Sequence, residues 1–138
     1  MYETILVTLD VTPTDRAIID HVKALARRLN SQVILLHVAD GWAARRFGKD
    51  AVSEEIANDA EYLNEVRAEF EFEGIAARAE LAYGDPAAEI VRWVETNGCD
   101  LVAMSTHGHR GLADLLLGWT ASTVQHAISV PVLMLRAR

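Results

Sequence analysis

Short apolar runs alternate with segments of helical periodicity from one end of this 138-residue chain to the other, and few folds accommodate that alternation. Ile5-Leu6-Val7-Thr8-Leu9 is a strand-length run ending at Asp10. From Asp15 to Leu29 the apolar residues Ile18, Ile19, Val22, Leu25, Ala26 and Leu29 fall on one helical face, and Asn30-Ser31 ends the pattern. Val33 to Val38 is the second run, and Ala39 to Lys49 reads as a loop with Gly41, Gly48 and three basic residues. Ser53 to Phe72 reads as a long acidic helix with Ile56, Leu63, Val66 and Phe70 inward, stopped by Gly74. A third strand is expected over Ile75 to Tyr83. Asp85 as N-cap and Pro86 at the first helical position then open a helix that Gly98 closes. Leu101 to Met104 is the fourth strand, Ala121 to Ile128 the core of the last helix, and Pro131 to Leu135 the fifth strand.

Five strands alternating with four helices predict a single α/β domain over residues 1–138, an open, doubly wound parallel sheet with helices on both faces. Strand polarity orders the sheet. Buried parallel strands are continuously apolar, whereas an edge tolerates charge. Ile75 to Leu81 contains Arg78 and Glu80, which places it at an edge, and Val33 to Val38 is too apolar for one. That favours the order 3-2-1-4-5 over the flavodoxin order 2-1-3-4-5. The chain then reverses direction between strands 1 and 4, and open α/β sheets bind ligands beyond the strand C-termini at such a point. Strand 5 is left as a very apolar second edge. A bare edge of that kind invites pairing, so a homodimer through Val130 to Arg136 is expected.

The same crevice receives Asp10 and the loop Ser105-Thr106-His107-Gly108-His109-Arg110-Gly111, followed by a Leu-rich stretch and Gly118-Trp119-Thr120. Glycines between a strand and a helix let backbone approach a ligand, and a first helical turn offers unpaired N–H groups to an anion. His109 and Arg110 sit where they could help hold a phosphate. The net charge of −7 argues against nucleic acid as a partner. No apolar run approaches the length of a membrane span. Met1-Tyr2-Glu3-Thr4 leads into a strand with no basic signal region, and the one cysteine, Cys99, suits a reducing compartment, so a cytoplasmic location is expected.

Val7-Thr8-Leu9-Asp10, Leu36-His37-Val38, Gly84-Asp85-Pro86, Ser105-Thr106-His107-Gly108, Leu115-Leu116-Leu117-Gly118 and Val130-Pro131-Val132-Leu133 together resemble a universal stress protein domain, from the first strand to the last. The resemblance implies the adenine nucleotide alpha hydrolase-like fold and a stress-response regulatory protein that binds ATP or a related adenine nucleotide, with Mg²⁺ as a cation able to accompany it. The family's ATP-binding pattern, Gly-x2-Gly-x9-Gly-(Ser/Thr), falls on Ser105, Gly108, Gly118 and Trp119 with its spacing intact. Ser105 in place of the first glycine is a mild change. Trp119 in place of Ser/Thr removes a phosphate-binding hydroxyl and brings in an indole, while Thr120 and Ser122 lie close enough to offer substitutes. The resemblance places Asp10 and the Val38 main chain against the adenine. The alternative is a nucleotide-free dimeric adaptor in which Trp119 blocks the phosphate site.

Other chemistry finds little footing. His107, His109, His37 and Cys99 lack metal-site spacing and read as ordinary hydrogen-bonding groups and an unreactive thiol, so no metal site is expected. Trp93 reads as core. Gly-x-Ser-x-Gly and Walker sequences are both absent, and no base stands beside a nucleophile, so catalysis would extend at most to slow ATP hydrolysis.

Overall fold

The computed structural model describes residues 1–39, 49–106 and 112–136, with backbone only for 49–53 and 112–119. Among these residues the order is β1 (Thr4–Thr8), α1 (Asp15–Leu29), β2 (Gln32–Ala39), α2 (Lys49–Phe72), β3 (Ala77–Tyr83), α3 (Pro86–Asn97), β4 (Leu101–Thr106), α4 (Leu112–Ala127) and β5 (Val132–Arg136). The strands form one sheet in the order β3-β2-β1-β4-β5, every neighbouring pair parallel, as strand polarity predicts.

Successive side chains of a strand face opposite ways, so each buried strand feeds two cores. Ile5, Val7, Val33 and Leu35 pack with Ile18, Ile19 and Val22 of α1 and Leu63, Val66 and Phe70 of α2. Leu6, Ile34 and Leu36 face the other way, onto Ile90 and Val94 of α3 and Ala121 and Val124 of α4. The edge strands are only half-buried along most of their length. Trp93 packs at the margin of the second core, its indole N–H donating to the Glu80 carboxylate, and burial pushes the half-buried Cys99 thiol up to about 11.

Helix ends follow their local chemistry where that chemistry is short-range. Asp85 Oδ2 accepts from Ala88 N at 3.0 Å with Pro86 next to it, and Gly98 closes α3 at φ 80°. Three boundaries differ from the sequence reading. The segment from Ile75 enters β3 only at Ala77, because Gly74 (φ 81°) and Ile75 complete a Schellman end to α2: Gly74 N donates to Glu71 O and Ile75 N to Phe70 O. Ile75 is therefore buried beside Phe70 as the apolar closure of a helix. Helix α2 begins at Lys49 rather than Ser53, since no breaker follows Gly48. Helix α4 begins at Leu112, nine residues before the expected Ala121. Leu112 to Leu117 is rich in strong helix formers, and one interior glycine costs a helix only about 1 kcal/mol, too little to stop it. Gly118-Trp119-Thr120 consequently lies inside α4 and not at its first turn.

Candidate functional site

Where β1 and β4 part, beyond the strand C-termini, a cleft of about 760 Å³ opens between the two helical layers. Its β1 wall is shaped by Asp15. This side chain is 1% exposed at the start of α1, and instead of capping its own helix it reaches back to the preceding loop. Its carboxylate accepts from Asp10 N and Val11 N at 2.9 Å each, from Thr12 N at 3.4 Å, and from the Tyr62 hydroxyl of α2 at 2.7 Å. Burial and the bond to Asp15 hold the Tyr62 phenol well above its ordinary pKa, so it stays a donor. The clamp bends the chain tightly enough to put Val11 at φ 61°, in the left-handed region that a β-branched residue enters only under constraint.

The bend places Asp10 in the cleft, half-buried. Burial pushes its carboxyl up to about 6; the charge of Asp15 adds to the rise and His37 opposes it. His37 belongs to β2. Its Nδ1 lies 2.8 Å from Leu9 O, and since a carbonyl only accepts, Nδ1 carries a proton. Nε2 then faces Asp59 Oδ2 of α2 at 3.5 Å. Burial raises Asp59 as well, against the pull of His37. On the opposite wall stand Met104 and Ser105 from the end of β4 and Thr120 and Thr123 from α4. Asp59 Oδ2 and Ser105 Oγ are buried without a hydrogen bond.

Of the site residues expected from sequence, Asp10, Val38, Ser105 and Thr120 line this one cleft. Gly118 and Trp119 fall within α4, their side chains outside the described residues, and Gly108, His109 and Arg110 lie outside them altogether. The sequence reading took His37 as an ordinary hydrogen-bonding group, which its bond to Leu9 O bears out, and overlooked Asp59. A signal for Asp59 was present: it sits three residues after Ile56 and four before Leu63, on the inward stripe of α2, where a carboxylate needs a reason. The described lining is acidic, with Asp10, Glu55, Asp59 and Asp85 and neither Lys nor Arg. No group of three or more His, Cys, Asp or Glu among the described residues is placed to hold a metal, and no described helix is long and apolar enough to cross a membrane.

A five-stranded parallel sheet with a crevice at its reversal point, lined by Asp10, Val38 and Ser105, is the open, doubly wound α/β architecture that the sequence resembles. Residues 1–136 match the profile of the universal stress protein family, and the chain belongs to that family. Universal stress protein MJ0577 of Methanocaldococcus jannaschii is 27% identical over 157 aligned residues, covering 100% of this chain and 97% of that protein. A solved structure of MJ0577 superposes with a TM-score of 0.84 at 28% identity, covering 100% of this chain and 98% of that one. Two further solved structures share the fold. One, from Archaeoglobus fulgidus, is in complex with dAMP (TM-score 0.73, 19% identity, 98% of each chain). The other is a universal stress protein in complex with cAMP (TM-score 0.72, 18% identity, 98% of this chain and 97% of that one).

Proposed function

We propose that this protein is a cytoplasmic stress-response regulator that binds an adenine nucleotide in the cleft between β1 and β4, its occupancy altering affinity for a regulated protein. The observation that carries the reading is the convergence of Asp10, Val38, Ser105 and Thr120 on one cleft of about 760 Å³, a volume ordinary for a small-molecule site. The dAMP and cAMP complexes of the two relatives point to the ligand class. The base lies against Asp10 and the Val38 main chain, and the ribose and first phosphate lie near Ser105 and Gly108. With ATP the outer phosphates reach the Gly118–Thr120 segment, His109 and Arg110 supply positive charge, and Mg²⁺ arrives with the phosphates. The half-buried β5 edge, Val130 to Arg136, pairs with its counterpart in a homodimer, which sedimentation at micromolar concentration tests.

One observation favours the adaptor reading at the phosphate end. With α4 beginning at Leu112, the N–H groups of residues 118–120 fall within a helix and not at its open first turn. ATP titrated against the wild type and Trp119→Ser separates the two. Restoring one hydroxyl to a phosphate site is worth about 0.5–1.5 kcal/mol, roughly a two- to twelvefold gain in affinity. Such a gain supports nucleotide binding with a hydrogen bond missing. Binding regained from nothing identifies Trp119 as a block, and no binding by either protein at millimolar ATP leaves the adaptor.

A further inference from the structure

Asp59 is a charged side chain where α2 should be apolar. Ile56, Leu63, Val66 and Phe70 mark the inward stripe of that helix, and Asp59 lies on it, 7% exposed, with Oδ2 making no hydrogen bond. A buried carboxylate oxygen in this state is costly unless something supplies a donor. His37 does not: its Nδ1 proton is committed to the Leu9 carbonyl, and its Nε2 stands off at 3.5 Å. Asp59 also borders the cleft that holds Asp10 and Val38, on the side where the base and ribose are placed above. Three adjacent acidic or imidazole groups are ill-suited to phosphate, whereas the nucleoside half of a nucleotide carries O–H and N–H donors.

We propose that Asp59 binds the nucleoside moiety of the ligand, Oδ2 accepting an N–H or O–H from the base or the ribose. This rests on the nucleotide reading and names a contact within it. The chemistry needed is one hydrogen-bond donor, which the 6-amino group, the 2′-hydroxyl or the 3′-hydroxyl could supply.

The test pairs variants with ligands. AMP, 2′-deoxy-AMP, 3′-deoxy-AMP and purine riboside 5′-monophosphate, which lacks the amino group, are titrated against wild type, Asp59→Asn and Asp59→Ala. A hydrogen bond to a charged group is lost in Asp59→Ala, so AMP should bind about tenfold or more weakly, with Asp59→Asn between the two. For the analogue that lacks the partner donor, the gap between wild type and Asp59→Ala should close. A variant that binds AMP like the wild type overturns the proposal, as does one that weakens all four ligands equally, the mark of a purely structural role. If the variants do not fold, the Asp59 carboxyl carbon signal of the wild type decides. It should move on adding AMP and move less with one analogue; identical responses to all four refute the contact. Failure of wild type to bind any of the four at millimolar concentration removes the nucleotide reading and this contact together, whereas AMP binding indifferent to Asp59 removes the contact alone.

Discussion

Two groups of charges, one on the outer flank where α1 meets α2 and one in the cleft, show opposite uses of the same residue types. On the flank, Arg16 grips Glu69 with two bonds of 2.8 and 3.0 Å, and Lys23 reaches Glu69 at 2.7 Å and Glu73 at 3.3 Å. Arg27 adds a contact to Glu73 at 3.4 Å, and Lys23 lies 5.8 Å from the centre of the Phe70 ring. Hydrogen bonds from Arg16 and Lys23 hold Glu69 down at about 2. In the cleft, burial drives Asp10 the other way, to about 6, and leaves Asp59 with an oxygen unbonded. The flank has satisfied its charges internally. The cleft keeps unsatisfied ones, as expected of a surface shaped for something other than itself.

The comparison breaks most visibly at Asp15, a cleft-side carboxylate that accepts four hydrogen bonds. Asp15→Ala orphans three backbone N–H groups and the Tyr62 hydroxyl, and it frees Val11 from a conformation that costs about 1–2 kcal/mol. That relief is small against the loss of several bonds to a charged acceptor, each worth about 1.5–3 kcal/mol. Urea denaturation should show a loss of more than about 3 kcal/mol. A loss under about 1 kcal/mol would mean the loop holds its shape without the clamp.

Asp10 sharpens the contrast through pH. Its carboxyl moves from an ordinary 3.8 to about 6 in the fold. Between those values the native state holds a proton that the unfolded chain has released, so this residue lowers stability as pH rises through the window, and the cost is complete above about pH 6. At about 1.4 kcal/mol per unit the shift amounts to roughly 3 kcal/mol, which partial exposure reduces to about 1–2. Asp10→Asn should therefore be more stable than wild type by that amount at pH 7.5, with the two curves converging near pH 4. A variant less stable at neutral pH would show that the Asp10 charge is compensated in the native protein.

Strand order was readable because it depends on how polar each strand is: Arg78 and Glu80 mark β3, and nothing polar interrupts Val33 to Leu36. The ends of α1 and α3 were readable because Asn30, Asp85, Pro86 and Gly98 act within a few residues of themselves. Part of the cleft lining was readable for a related reason: a sheet's reversal point fixes which strand ends meet, and strand order alone therefore brings Asp10 and Ser105 to one crevice. The clamp was not. Asp15 looks like an acidic first-turn residue, and its role depends on Tyr62, which is 47 positions away in sequence. The His37–Asp59 pair likewise joins β2 to α2 across a gap that no local pattern spans. Helix α4 misled because Gly118 was weighted as a boundary where the leucines before it outvote it.

The smallest effect belongs to a heavily bonded but exposed charge of the flank. Glu69 sits at about 2 instead of its ordinary 4.5, so its stabilisation is complete above about pH 4.5 and is lost as pH falls toward 2, the reverse of Asp10. Its side chain is 36% exposed and that of Arg16 53%, so water and salt screen most of the attraction. Glu69→Gln should cost no more than about 1 kcal/mol at pH 7 and low salt. In 1 M NaCl, where charges are screened over about 3 Å, even that should fade, while the gain from Asp10→Asn, rooted in burial, should persist. Denaturation of both variants at two salt concentrations reads the difference directly. If Glu69→Gln instead costs as much as Asp15→Ala and ignores salt, the flank anchors α2 against α1, and the pairing of its charges is what holds Tyr62 and Asp59 in position over the cleft.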